Sequence, residues 1–259
     1  MSLEQFLLLK VPMLILGIVF VGGAVVIAVG GLLIVRRLIP HHRLKVHNDV
    51  AAAIFGTVGV IYAVLLAFVV IVVWQGLDRS KMNVEREASC LNDLYRDSVS
   101  FSPVFKTKAR ALLREYRDTV VNDEWKAMAR GEKSQKVEKV IDNLWIAYSS
   151  YEPTKENDKV FFEEGVRKLN QLEEYRSFRL VDACTGVNFL LWFVLIVGGI
   201  STIAFTVFFG AENLKAQVAM AVILSILISL IIFTIFSMDY PFTGEISIGP
   251  GVFTHLQMN

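Results

Sequence analysis

"HNDVAAAIFGTVGVIYAVLLAFVVIVVWQGLDRSKMNVEREASC" occupies residues 47–90. Three polar residues lead into Val50–Leu77, which carries no Asp, Glu, Lys or Arg. About 20 apolar residues suffice to cross about 30 Å of hydrocarbon. Charged residues then follow without a proline, and a helical stripe of Val84, Ala88, Leu91 and Tyr95 continues. The pattern predicts one helix from Val50 to about Ser98, apolar in its first half and charged in its second. Such a helix crosses a membrane and continues into water.

Working outward, the chain has 259 residues, 54% of them apolar, and a mean hydropathy of +0.51. Three more stretches lack all four charged residue types: Val11–Val35, Ala183–Ala211 and Ala216–Met238. Charge concentrates between the second and third spans: Asp78–Asp182 holds 20 of the 26 Lys+Arg and 20 of the 25 Asp+Glu. The expected fold is an all-α membrane protein with four transmembrane helices and a helical-bundle soluble domain inserted between spans two and three. Its divisions are a hairpin over 1–77 (spans 11–35 and 50–77), the bundle over 78–182, a hairpin over 183–238 (spans 187–210 and 216–238) and an irregular segment over 239–259. A neutral bundle gives no argument for nucleic acid as a partner.

Within the bundle, Ser102-Pro103 predicts a helix start, with serine at the cap and proline at the first position. Phe105, Ala109, Leu112, Tyr116 and Val120 share one face of that helix, which should stop near Gly131. Ser134 can cap a helix running to Tyr148, with Val137, Ile141, Leu144 and Tyr148 inward. A turn at Tyr151–Asn157 precedes a last long helix from about Asp158, carrying Leu169 and Leu172 and able to run on into span three.

Span two has two distinct sides at 100° per residue. Ala52, Gly56, Gly59, Ala63 and Ala67 form a small face that suits close helix packing in lipid. Ile54, Val58, Ile61, Leu65 and Phe68, with Val72, form a large one. That large face fits lipid contact, or a pore constriction, since apolar rings gate by dewetting. Asn48 and Asp49 fit a helix cap and dipole partner, or a polar ring at a pore mouth.

Other chemistry is sparse. His41, His42 and His47 share a loop with Arg and Lys, a poor cation site whose spacing matches no strong ligand motif. No phosphate loop, G-x-S-x-G or H-E-x-x-H occurs. The expectation is therefore no enzyme, no catalytic residues, no metal and no cofactor. The spans lack internal charges, which disfavours proton-coupled transport. The hydroxyls of Ser201, Thr202, Thr206, Ser225, Ser229 and Thr234 are expected to satisfy carbonyls of their own helices. Cys90 and Cys184 show no paired spacing. "DYPFTGEISI", from Asp239 through Pro241, Phe242 and Gly244 to Ile248, is either a turn leaving the membrane or a latch on the bundle.

"HNDVAAAIFGTVGVIYAVLLAFVVIVVW", "VEREAS" (Val84–Ser89), "FFGAENLKAQ" (Phe208–Gln217) and "DYPFTGEISI" together resemble a group of four-span proteins of bacteria and plants described as bestrophin-like. The similarity covers nearly the whole chain. More distantly the chain is similar to bestrophins, which are pentameric anion channels whose second span lines the pore with an apolar neck. The resemblance implies a homo-oligomer, by analogy a pentamer, passing a small ion and embedded in a lipid bilayer. Bestrophin's calcium-site and selectivity residues have no match here, so neither property carries over. Counting Lys and Arg near the spans gives six against five and leaves sidedness open. The resemblance implies a cytoplasmic bundle and, for a bacterial protein, the inner membrane. An oligomeric channel is the first reading; a membrane-anchored sensor or adaptor acting through a protein partner is the second.

Overall fold

The computed structural model describes residues 2–38, 48–209, 211 and 213–258. The three loop histidines, His41, His42 and His47, lie outside them. The chain divides into two compact units. One holds residues 10–75 and 186–239; the other holds 1–9, 76–185 and 240–259. The two predicted hairpins thus form a single membrane unit. The first nine residues and the C-terminal segment group with the bundle, not with the flanking spans. Among the described residues all regular structure is helical.

In the membrane unit, four helices are long and apolar enough to span. Helix α1 (Leu3–Lys10) belongs, up to Leu9, to the other unit. The spans are α2 (Met13–Leu38), the first half of α3 (Asn48–Asp97), α8 (Phe189–Phe208) and α9 (Leu214–Met238), the intervening labels being bundle helices. Their starts follow local chemistry. The Asn188 side chain accepts from Leu190 N at 2.8 Å, and that of Asn213 accepts from Lys215 N at 3.0 Å. Helix α9 packs against both α2 and α8, with the Phe20 and Phe233 rings 6.0 Å apart. The hydroxyls of Thr202, Thr206, Ser225, Ser229 and Thr234 donate to carbonyls of their own helices at 2.6–2.9 Å, which satisfies them in hydrocarbon.

In the bundle unit, the second half of α3 packs with α4 (Pro103–Thr119), α5 (Trp125–Met128), α6 (Gln135–Ser149) and α7 (Glu156–Cys184). Ser102 caps α4 by accepting from Phe105 N at 3.4 Å, with Pro103 in the first turn. The interior side of α4 is Phe105, Ala109, Leu113 and Tyr116, with Leu113 in place of the expected Leu112. Val120–Glu124 is a π-helical turn between α4 and α5, and it shifts which side chains face inward. Chain reversal follows at Gly131, where φ is +71°, a conformation costly for residues with a Cβ. Helix α6 buries Val137, Ile141, Leu144 and Tyr148.

Helix α7 stops at Cys184 and does not continue into α8. Asn188 takes the Leu190 N–H, and the Asp239 carboxylate takes the Val187 N–H at 2.5 Å. Those backbone groups are thereby drawn out of a helical ladder. Fully buried Leu91, Leu94, Leu113, Leu144, Leu169 and Leu172 each contribute about 2 kcal/mol. Apolar burial therefore carries the bundle, and its polar contacts set register.

Candidate functional site

Span two is the first place to look, because its outer surface is apolar on every side. Its packed face is neither of the two picked out above. Tyr62, Leu66, Val69 and Val73 are buried. The Tyr62 hydroxyl donates to Leu195 O at 2.8 Å, and its ring lies over two glycines of α8. A Cβ at Gly198 would come within 2.5 Å of Tyr62 Cδ2 and Cε2, and one at Gly199 within 2.9 Å of its hydroxyl. Removing two side chains makes room for one ring and removes the need to bury its hydroxyl unpaired.

Among the described residues the other two faces are mostly exposed. On the large face Ile54, Ile61 and Phe68 are exposed, Ile61 at 66% and Phe68 at 64%, while Val58 and Leu65 are half-buried. On the small face Ala52, Gly56, Ala63 and Ala67 are exposed and Gly59 is half-buried. Among the described residues nothing lies within 4 Å of a Cβ built at Gly56 or Gly59. Asn48 and Asp49 are the first two residues of α3. Asn48 lines a cavity of about 410 Å³ with Phe55, Thr206, Phe209 and Gln217. The buried Gln217 side chain donates to Phe209 O at 2.8 Å and Thr206 O at 3.2 Å. It accepts from Arg36 Nη1 at 2.8 Å. One amide thus joins the ends of spans one, three and four.

The bundle contains a second constellation, a polar ladder between the antiparallel α3 and α7. Its rungs are Ser80 and Asn83 to Asp182 Oδ2 at 2.8 and 3.2 Å, Glu87 to Arg179, Arg86 over the Tyr175 ring and Asp93 to Lys168 at 3.0 Å. The central rung is fully buried. Arg179 Nε and Nη2 meet the two Glu87 oxygens at 2.6 and 2.7 Å, and Nη2 also meets Glu124 Oε2 at 2.9 Å. Arg176 Nη2 meets Glu124 Oε1 at 2.7 Å. The Tyr116 hydroxyl donates to Glu87 at 2.7 Å, and the Trp125 ring lies 5.0 Å from the Arg179 guanidinium. The π turn brings Glu124 into this cluster.

Electrostatics follow from that geometry. Burial pushes the Glu124 carboxyl up, but hydrogen bonds and charge from Arg176 and Arg179 outweigh it and hold the group below its ordinary range. Burial and the neighbouring Glu87 raise the Tyr116 hydroxyl well above its usual value. Two acids against two arginines leave the buried centre close to neutral, a clamp and not a proton store. Among the described residues no group of three or more metal-ligating side chains converges.

The C-terminal segment packs on the same bundle. The Phe242 and Trp125 rings sit 5.8 Å apart. Trp125 Nε1 donates to Ile248 O at 2.9 Å, and Thr243 Oγ1 donates to Ala129 O at 3.1 Å. Pro241 O accepts from Ile248 N at 2.8 Å, closing the turn, and Gly244 has φ +90°. Asp239 belongs to the membrane unit, where its carboxylate holds Val187 N and, at 3.3 Å, Trp192 Nε1. Sequence reasoning missed Tyr62, Gln217 and the Glu87–Arg179–Glu124 cluster. "VEREAS" was a legible signal only for Glu87, as an acid on the interior stripe beside Val84 and Ala88.

A family model of the Bestrophin-like domain matches residues 22–253, and the chain belongs to that family. None of the curated proteins matches the sequence. Among solved structures, two variants of a bacterial bestrophin homologue from Klebsiella pneumoniae share its fold. The first aligns with a TM-score of 0.70 at 11% identity, covering 90% of this chain and 94% of the homologue. The second gives 0.67 at 11% identity, covering 89% and 93%.

Proposed function

We propose that this bestrophin-like protein is an oligomeric ion channel whose second span lines the pore. Ile54, Val58, Ile61, Leu65 and Phe68 form the apolar constriction, with Asn48 and Asp49 at its mouth. Ala52, Gly56, Gly59, Ala63 and Ala67 pack one subunit's span two against its neighbour. The bundle forms a vestibule on the cytoplasmic side of a bacterial inner membrane, and the assembly is a homo-pentamer, as in bestrophins. No catalytic role is assigned.

One observation carries the reading. Among the described residues span two buries its Tyr62 side, while Ile54, Ile61 and Phe68 of the large face and Ala52, Gly56, Ala63 and Ala67 of the small-residue stripe stay exposed. Family membership and fold support the same assignment. An apolar ring in a pore resists wetting until it widens. The test is particle imaging of the detergent-purified protein down the membrane normal, then ion flux in liposomes. A symmetric ring with Ile61, Leu65 and Phe68 toward the axis, and higher flux when they are changed to Ala, is the expected result. A monomer, or a dimer without an axial cavity, sinks the channel reading and favours an adaptor module.

A further inference from the structure

Helix α1 presents an apolar face that the bundle does not use. Its start is fixed by a reciprocal cap: Ser2 Oγ accepts from Gln5 N at 3.1 Å, and Ser2 N donates to Gln5 Oε1 at 3.0 Å. Gln5 is buried, and its Nε2 donates to Ala183 O at 3.1 Å. Leu8 is buried beside Gly244, where an added Cβ would stand 3.4 Å from Leu8 Cβ. Those two residues turn one side of α1 into the bundle. Leu3, Phe6 and Leu9 stay exposed, Leu3 at 75%. At 3.6 residues per turn they occupy about a third of the helix's circumference. Eight residues make a marginal helix in water, so the cap and the two buried anchors hold in place a helix whose outer face is made for another medium.

Both anchors lie where the chain changes unit. Ala183 stands just before the crossing after Thr185, and Gly244 just after the return at Tyr240. A third crossing follows Leu9 itself, and span one begins at Met13. From Lys10 to Met13 the chain reaches at most about 11 Å. The headgroup layer on one side of a bilayer is about 5–7 Å deep. The end of α1 is therefore tied within reach of the headgroups, and its anchors hold the rest of it along the same edge of the bundle. A second copy is the poorer occupant, because three side chains fall far short of the about 800 Å² per partner of a stable interface.

We infer that α1 lies in the bilayer interface, with Leu3, Phe6 and Leu9 among the upper acyl carbons and Lys10 at the headgroups. The bundle is then footed on the lipid surface by a helix of its own. Apolar residues on one face with a lysine at the end suit that position. The site is independent of whether the protein conducts and of how many copies assemble.

The experiment uses the full-length protein in phosphatidylcholine vesicles doped with a phosphatidylcholine that carries a diazirine near the headgroup end of one acyl chain. After irradiation, trypsin digestion of the denatured protein gives a peptide ending at Lys10 and another, residues 97–106, that holds Val99 and Val104. Both valines are exposed on the same bundle unit, Val104 at 83%, and so control for apolar exposure alone. Lipid adducts should be about tenfold more frequent on the first peptide than on the second. Fragment ions should place them on Leu3, Phe6 and Leu9, not on Gln5 or Leu8. A water-borne diazirine should reverse the ratio. Phe6→Asp should cut the lipid adducts severalfold and leave the melting temperature in detergent unchanged. Equal lipid labelling of the two peptides overturns the proposal and places the face in water. Protection of the first peptide from both probes overturns it as well and assigns the face to a second copy.

Discussion

Glu87 and Arg179 stand 92 residues apart in the chain and meet through two hydrogen bonds of 2.6 and 2.7 Å, both side chains fully buried. Arg179 also holds Glu124, so one guanidinium neutralises parts of two carboxylates. Its charge is raised in affinity for its proton despite burial, because Glu87 and Glu124 surround it.

Arg179→Met should therefore destabilise the bundle by about 3–5 kcal/mol, since it strands two buried acids. Arg179→Lys should recover only part of this, because a point charge cannot fork onto Glu87 while touching Glu124. Thermal unfolding in detergent reads both. A melting point unchanged in Arg179→Met would show that the cluster is solvated.

Glu124 fixes the pH response. Its folded pKa is lowered from 4.5, so the unfolded chain binds more protons as pH falls. Its stabilising contribution is complete above about pH 4.5 and disappears as pH drops through the lower folded value. Melting temperature should be flat from about pH 7 to 5 and fall on further acidification. Glu124→Gln should lower the plateau and flatten the acid limb. An acid limb of the same slope in that variant would assign it to other carboxylates.

The seat of Tyr62 offers a paired test. Gly198→Ala places a methyl within 2.5 Å of the ring and should cost about 1–3 kcal/mol, as overpacking does. Gly22→Ala, with nothing within 4 Å, should cost little. Adding Tyr62→Ala to Gly198→Ala should cost less than the sum of the two single changes, the sign of direct contact. Strict additivity in thermal melts would separate the two sites.

At the C-terminal turn, Gly244→Ala must adopt φ near +90° beside Leu8 and should cost about 1–2 kcal/mol. Because Trp125 bonds Ile248 and touches Phe242, its fluorescence should report loosening of the segment in this variant. Unaltered emission with lowered stability would show that the turn strains without detaching.

How much of this the sequence carried depends on range. The four spans are legible because each is a long uninterrupted apolar run, and Ser102-Pro103 marks its helix start through a bond of three residues' reach. The π turn at Val120–Glu124 has no local mark, since Val-Val-Asn-Asp-Glu reads as ordinary helix; Leu112 and Leu113 are neighbours of one residue type, and only the packed bundle selects Leu113 for the interior. The break at 185–188 depends on Asp239, some fifty residues away, capturing Val187. Tyr62 stands in a run where any large residue suits lipid, and only the bare backbone of Gly198 and Gly199 selects it. Helix α1 escaped for a related reason. Its eight residues carry little pattern, and its anchor is Gln5 Nε2 donating to Ala183 O at 3.1 Å. The faces of span two are visible in the sequence, but the sequence does not say what each of them meets.

The rungs between α3 and α7 also act as a ruler. Sliding one helix past the other by a single turn, about 5.4 Å, would still bury leucines against leucines. It would, however, part Glu87 from Arg179 and break both hydrogen bonds between fully buried groups, at several kcal/mol. Ratcheting in small steps is closed to this pair. A shift between the two helices has to break that buried rung first, so the rung holds the pair in a single register.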